Sequence, residues 1–433
     1  MADRPALYEI SQIFVETTEG TAGPATIRAS ASSFDVDPTV AFNRTIGMGY
    51  NLPVLVDPIK QWTVVKASGG LTYTELPYIL ASAIKFLAPT AGGLVSQVWS
   101  VKPSSTAVEV TKTYTIEQGQ AARAQRASGC RFAGLTIDLD RNAGCKFTAT
   151  GIGQLFSDPF TLTTLTPVAE INSIGLGAAS AGTVTLTFNN GVTAVTTASM
   201  AYNLTTAAVQ TAINTALGTG NCTVSGAGPW PAALTFTFTG AYANAPILVT
   251  GTATGLTGGA ITITRSTPGV RTEVPLVPVL GSQLDFFIDP TSGAFGTTKL
   301  LRAEKLSLAF ATRFAPMFAA NTANASYATT VPAPGAVTGS LGVQADAAGM
   351  AMLTNMTAGS TWYLRGMATG ALIESAHNFK FIEDLCVKVS GDPNFSASQG
   401  MKMITWPFEV VHDSTYGGGF TISVENLSTV LGT

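Results

Sequence analysis

Arg131-Phe-Ala-Gly-Leu-Thr-Ile-Asp-Leu-Asp-Arg141, followed after Asn142-Ala-Gly144 by Cys145-Lys-Phe-Thr-Ala-Thr-Gly151, reads as the two strands of a hairpin. In the first strand Phe132, Gly134, Thr136, Asp138 and Asp140 share one face, and Ala133, Leu135, Ile137, Leu139 and Arg141 take the other. A period of two with one apolar and one polar set marks a sheet with one face in a core and one in water. The run Asp138-Leu-Asp140-Arg-Asn142-Ala-Gly144 has the look of a calcium loop, but its glycine falls one position late and Ala149 stands where the bidentate Glu belongs. It reads as a strand ending in a turn.

Upstream, strands lead to a long loop at Pro38–Pro58, a strand around Gln61–Lys66, and a helix at Thr74–Phe86. In that helix Thr74 is the expected N-cap, Pro77 sits in the first turn, and Leu76, Ile79, Leu80, Ala83, Ile84 and Leu87 form an apolar stripe. Strands at Val98–Lys102 and Val108–Glu117 then precede the hairpin. From residue 276 a similar order returns: Asp285-Phe-Phe-Ile-Asp289, Leu300–Arg313, a long loop at Ala315–Gly335, a strand at Val337–Gln344, a short helix at Ala347–Met356, and strands at Trp362–Arg365, Phe379–Val389, Met401–His412 and Phe420–Glu425. Arg131-Phe132 matches Lys380-Phe381, and Gly144-Cys-Lys-Phe147 matches Gly400-Met-Lys-Met403. The expected architecture is mainly β with a few helices: two tandem sandwich or barrel domains, residues 1–166 and 271–433, each with one flanking helix. Pro407 in the strand after Trp406 predicts an edge or a bulge there.

Between them, residues 167–270 form a third, inserted β-rich domain. No Asp, Glu, Lys or Arg occurs between Glu170 and Arg265, and Thr (21), Ala (18) and Gly (13) dominate residues 171–264. The pattern is still that of a folded unit. Thr183–Phe188 and Leu234–Phe238 alternate as strands, and between them Val209, Ile213 and Leu217 fall on one face of a helix capped by Asn203 or Thr205 and ended at Gly218.

Charge excludes several function classes. The chain of 433 residues carries 23 Lys and Arg against 26 Asp and Glu, 11% charged and net −3, where a typical soluble domain has roughly 25%. A nucleic-acid binder needs clustered basic residues, which are missing. Every apolar stretch is broken before about 18 residues, so no transmembrane helix is expected. The start, Met1-Ala-Asp-Arg-Pro-Ala-Leu7, has no apolar core behind its charges and predicts neither secretory signal nor transit peptide. A weakly charged surface is best hidden against copies of itself, which predicts an obligate oligomer. Cys130, Cys145, Cys222 and Cys386 have no zinc spacing and read as buried thiols, with a Cys130–Cys145 bridge across the hairpin as the alternative. His377 and His412 lack a nucleophile or metal partner in sequence. No enzyme, cofactor or metal site is expected, and the Asn-x-Thr triplets at Asn203 and Asn355 read as compositional.

The order strand, long loop, strand, helix and paired strands resembles the tail tube (major tail) proteins of long-tailed, siphovirus-type bacteriophages. The residues that carry the resemblance are Leu76-Pro-Tyr-Ile-Leu-Ala-Ser-Ala83, Tyr114-Thr-Ile-Glu-Gln118, Gly134-Leu-Thr-Ile-Asp138 and Lys146-Phe-Thr-Ala-Thr-Gly-Ile-Gly153. Residues 167–270 depart from that plan and resemble an added surface domain; Tyr202–Gln210 is similar to a small repeat module of phage and bacterial surface proteins. The resemblance implies rings of six tube domains whose sheets join into one barrel, stacked into a hollow conduit for the genome. With two such domains per chain it implies trimeric, pseudo-hexameric rings in a virion tail assembled in the host cytoplasm, without membrane insertion. Partners implied are the chain itself, a tape measure protein, tail terminator and tip proteins, and double-stranded DNA in transit without specific binding.

On that reading the bore avoids clustered cations, and Asp138, Asp140, Glu383 and Asp384 are the expected lumen residues, or else subunit contacts paired with Arg141, Lys146, Lys388 or Lys402. Phe42, Met48, Tyr50 and Leu52 in the first long loop, with Phe318, Tyr327 and Val331 in the second, are expected to contact the next ring. The insert would project outward as a weak glycan binder or as decoration. Alternatives are a capsid or other virion shell or decoration protein, and a bacterial surface binding module.

Overall fold

The computed structural model describes residues 9–431 except 94, 105, 121–122, 244, 320–325, 334, 348, 351–357 and 375. Apart from a few strands of two or three residues, the first series is β1 (Ile10–Val15), β2 (Ser32–Thr45), β3 (Leu55–Gly70), β4 (Gln97–Val101), β5 (Tyr114–Gln120), β6 (Arg123–Asp140), β7 (Lys146–Gly153) and β8 (Leu155–Phe160), with α1 (Leu76–Ala83) after β3. The chain is mainly β, built from large antiparallel sheets.

β6 is long enough to serve two sheets. Its first half lies between β5 and β8, with β1 beyond β5. Its second half lies on β7, followed by β3 and β2. Leu135, Ile137 and Leu139 point into the core and Thr136, Asp138 and Asp140 away from it, as the alternation predicts. Phe132 departs from its expected face. A register shift between Phe132 and Gly134 lets both Phe132 and Ala133 turn inward.

α1 is shorter than its sequence pattern suggests. It has eight residues, all buried, and its N-cap is Glu75, not Thr74, whose hydroxyl donates to the Pro275 carbonyl. A helix apolar on every side belongs inside a core. The helix expected at 347–356 lies largely outside the described residues, as does the Asn355 triplet. All four cysteines are free and buried, which sets aside the Cys130–Cys145 bridge.

The middle of the chain contributes β9 (Ile171–Gly175), β10 (Ala181–Asn189), α2 (Thr206–Leu217), β11 (Cys222–Ser225), β12 (Leu234–Phe238), β13 (Leu248–Thr257) and β14 (Thr262–Thr267). One sheet has the order β11-β12-β9-β14, and β10 pairs with β13 in another. α2 lays Val209, Ile213 and Leu217 on an apolar cluster that includes Phe188, Phe236, Phe238 and Trp230 and is distinct from the main core. Thr205 caps α2 by accepting from the Ala208 amide at 3.2 Å, and Gly218, at φ +88°, ends it.

The charged residues that bracket the charge-free stretch meet. Fully buried Glu170 accepts two hydrogen bonds from Arg265, at 2.6 and 2.7 Å, and another from the Gly269 amide at 2.5 Å. Glu170→Ala strands the guanidinium and an amide at once. The expected cost is about 1–3 kcal/mol of stability, tempered by the half-exposed Arg265 side chain. Thermal unfolding of the full chain, with limited proteolysis to locate the change, checks it; unchanged resistance between 170 and 265 would refute it.

The second series is β15 (Leu284–Asp289), β16 (Ala303–Phe310), β17 (Phe314–Met317), β18 (Thr329–Pro332), β19 (Val337–Gln344), β20 (Trp362–Glu374), β21 (His377–Val389), β22 (Asn394–Ser398), β23 (Met401–Val410) and β24 (Phe420–Asn426). Its pairings repeat those of the first. β1-β5-β6-β8 recurs as β15-β20-β21-β24, and β2-β3-β7 recurs as β16-β19-β23. Pro407 lies neither on an edge strand nor at a bulge. One side of β23 keeps its ladder with β19 throughout, while on the other side the partner changes from β22, up to Thr405, to β21, from Phe408. The proline stands in that gap, where a missing N–H costs no ladder bond.

Candidate assembly interface

The two series are joined by strand pairing within one chain. The outer half of β6 takes β16 as its second neighbour, with Leu139 opposite Leu306, Ile137 opposite Leu308 and Leu135 opposite Phe310. All six side chains are buried. The polar side of this joint carries Asp138, which bridges to Lys305 at 3.4 Å and stands opposite Lys146 in the β6–β7 register. One continuous sheet results, in the order β2-β3-β7-β6-β16-β19-β23-β22.

Both ends of that sheet lack a strand partner among the described residues. At one end β22 pairs only with β23, and Asn394, Phe395, Ser396 and Ala397 are exposed. At the other end β2 pairs only with β3. Its outward backbone groups are held by side chains instead: Ser11 Oγ accepts from the Phe34 amide at 3.2 Å, and Gln118 Oε1 accepts from the Val36 amide at 3.1 Å. Covering an edge with polar side chains blunts its tendency to recruit strands indiscriminately.

The two long loops are β-hairpin arms. In the first, β2 and β3 stay paired from Ser32–Gly69 out to Thr45–Leu55, and a turn at Gly47–Tyr50 closes the tip, with Gly49 at φ +88°. Prolines and glycines signalled a loop, but Pro38 has no N–H to offer an outer partner and Pro58 lies beside the bulge at Ile59. The arm is apolar and bare: Phe42, Met48, Tyr50 and Leu52 are all exposed, with Ile46, Val54, Val56 and Ile59 beside them.

The second arm, β17 and β18, folds back across the joint onto the first series. Tyr327, expected at a contact between rings, is 1% exposed, and its hydroxyl donates to the Gly129 carbonyl at 3.1 Å. Burial pushes that phenol far above its ordinary pKa. Phe318 lies between Trp62 and Tyr327, with ring centroids at 6.0 and 6.2 Å. Val331 stays exposed.

The four expected lumen carboxylates have separate surroundings. Asp138 is half-buried in its ion pair, and Asp140 accepts from the Asn142 and Ala143 amides, both at 2.8 Å, closing the turn. Asp384 binds Arg365 through two bonds of 2.6 and 2.9 Å, a partner outside the expected set. Glu383 cannot line a bore in this conformation. Its side chain is fully buried, and neither carboxyl oxygen has a hydrogen-bond partner. Other buried acids are satisfied: Glu16 accepts from the Gly20 and Gly129 amides, and Glu117 from Thr163.

His377 sits at the start of β21, with Nδ1 2.6 Å from Glu425. Among the described residues no group of three potential ligands is placed to hold a metal, and no helix is long and apolar enough to cross a membrane. No known protein family matches the chain by its sequence profile, and no curated protein matches it.

Proposed function

We propose that this chain is a structural subunit that joins copies of itself edge to edge into a closed ring, and that the rings stack into a hollow tube of the phage tail type. On this reading the twice-repeated pairing pattern is a duplicated tube domain, and the middle domain is a surface addition. The β6–β16 joint carries the argument, because it is a completed version of the contact that the two bare sheet ends lack.

The two arms put the series in register. Phe42 lies opposite Pro58 in one and Phe314 opposite Pro332 in the other, each just beyond a one-residue slip in the hairpin. Counting back along each first strand sets Phe34 and Val36 in the places of Leu306 and Leu308. The rows Gly69–Phe147–Ile137 and Val343–Ile404–Phe395 then correspond, so Phe395 and Ala397 take the places of Ile137 and Leu139. Adding β2 of one copy to β22 of the next thus brings Val36 opposite Phe395 and Phe34 opposite Ala397. Such a head-to-tail contact closes when the rotation per copy divides a circle. Three copies supply six domains and leave neither end of this sheet open.

Asp138, on the polar side of the joint, is the lumen candidate that best survives, and the exposed tip residues Met48, Tyr50 and Leu52 are suited to contact the next ring. Electron microscopy of the purified, concentrated protein tests the assignment. Hollow tubes with threefold or pseudo-sixfold end views are expected. Compact shells, or monomers at every concentration, would overturn it.

A further inference from the structure

The clearest unexplained contrast in the molecule is between its two arms, which share a register but not an environment. Phe314 is 5% exposed and Phe42, its counterpart, 50%. Phe314 is covered because the second arm crosses the joint and lays its ring on Arg131 of β6, with the guanidinium carbon 5.1 Å from the ring centroid. Arg131 also reaches Thr330 in the same arm and Glu19 at 3.2 Å. An aromatic ring over a largely buried cation is a favourable seat.

The position matching Arg131 in the second series follows from the ladder. The row Val36–Val65–Gly151–Phe132 corresponds to Leu308–Gly339–Phe408–Val389, so the counterpart of Arg131 is Lys388 and not Lys380, which the sequence pattern suggested. Lys388 is exposed and forms no ion pair with any described residue; Glu409 stands across from it in the β21–β23 register. One chain therefore displays a bare aromatic arm at one end of its sheet and a bare cation at the other.

We infer that the base of the first arm is a lateral clasp: Phe42 of one copy seats on Lys388 of the adjacent copy in the same ring, as Phe314 seats on Arg131 within the chain. The inference rests on the ring reading and redirects part of it, because Phe42 then serves a neighbour within the ring and only the arm tip is left for the next ring. The occupant is a second copy of this chain. The same strand addition that brings β2 to β22 carries the arm across the seam, as it does between β16 and β6.

The test is thiol crosslinking of the full chain with a short bismaleimide, then denaturing electrophoresis. The native cysteines are buried and do not compete. Phe42→Cys with Lys388→Cys reports the clasp; Asp35→Cys with Ser396→Cys, opposed in the added strand, reports the seam. Both positions of the clasp are exposed, so the substitutions leave the subunit fold intact. The expected result is a closed trimer from each pair, with no larger species, and a clasp yield that does not change when tubes are dispersed to single rings. Seam crosslinks without clasp crosslinks would overturn the clasp and leave the ring standing. A ladder beyond three from the clasp pair alone would place Phe42 between rings and overturn it too. Failure of both pairs would remove the ring reading together with the clasp.

Discussion

Ala397→Pro is expected to leave the subunit folded and abolish its assembly. Ala397 is exposed on β22 and takes the place of Leu139, whose strand faces β16 in the joint. In an antiparallel ladder alternate residues direct their backbone groups to opposite neighbours, so a residue bonded outward gives nothing to β23. Proline there removes an N–H that the isolated subunit does not use and sets its ring in the space of the incoming strand. Each joint loses a hydrogen bond worth about 1 kcal/mol and gains a steric clash, weakening association by more than about tenfold per contact. In a ring every subunit carries the lesion, so the deficit recurs at every joint. Analytical ultracentrifugation paired with thermal unfolding reads both halves of this expectation. Rings of normal size from the proline variant would show that β22 is not the joining edge, and a fall in melting temperature together with loss of assembly would point to misfolding instead.

Side chains over the β2 edge keep its outward amides satisfied within the single chain. Ser11 and Gln118 hold the outward amides of Phe34 and Val36, the counterparts of residues that the joint pairs with β6. In the proposed assembly, strand addition would exchange two side-chain bonds for a continuous ladder and bury Phe395 beneath its new neighbour. The gain is mainly apolar burial, because hydrogen bonds are traded nearly one for one.

Features governed by local periodicity were legible in the sequence. The alternation from Leu135 to Asp140 and the capped stripe of α2 depend on spacing along the chain, and the structure follows them. Features set by distant partners were misread. Pro38, Pro53 and Pro58 marked a loop, yet Val40 and Phe42 pair with Gln61 and Pro58 in a long hairpin whose prolines avoid the ladder bonds. Phe318 and Tyr327 looked like tip residues because their cover, Trp62 and Gly129, lies far away in sequence. For Glu383 a signal was present: Phe379, Phe381, Glu383 and Leu385 share one face of β21, and a carboxylate in that company turns inward. β22 left little trace, since Asn394-Phe-Ser-Ala-Ser398 is short and mostly polar.

Glu383→Gln is expected to stabilise the protein at neutral and alkaline pH and to flatten its pH dependence. Burial, reinforced by Asp384 and Asp138, pushes the Glu383 carboxyl well above the usual carboxylate range. The folded chain therefore holds a proton that the unfolded chain releases above about pH 4.3. Wherever the native state binds more protons than the unfolded state, stability falls as pH rises, and the loss levels off only above the raised folded-state pKa. An amide of the same shape has no such proton. Near pH 4 and below, where the unfolded carboxyl keeps its proton as well, the two proteins should have similar stability, because both present a neutral, unsatisfied group beside Gly366. By pH 8 the variant should lead by about 1.4 kcal/mol for each pH unit over which the folded chain keeps the proton that the unfolded chain has released. The two proteins differ at this one side chain, so the difference between their curves isolates Glu383. Urea denaturation from pH 4 to 9 measures it directly. Parallel curves would mean that Glu383 finds a counter-charge or water in solution, whereas a gap that opens with pH means that a neutral carboxyl is part of the native core.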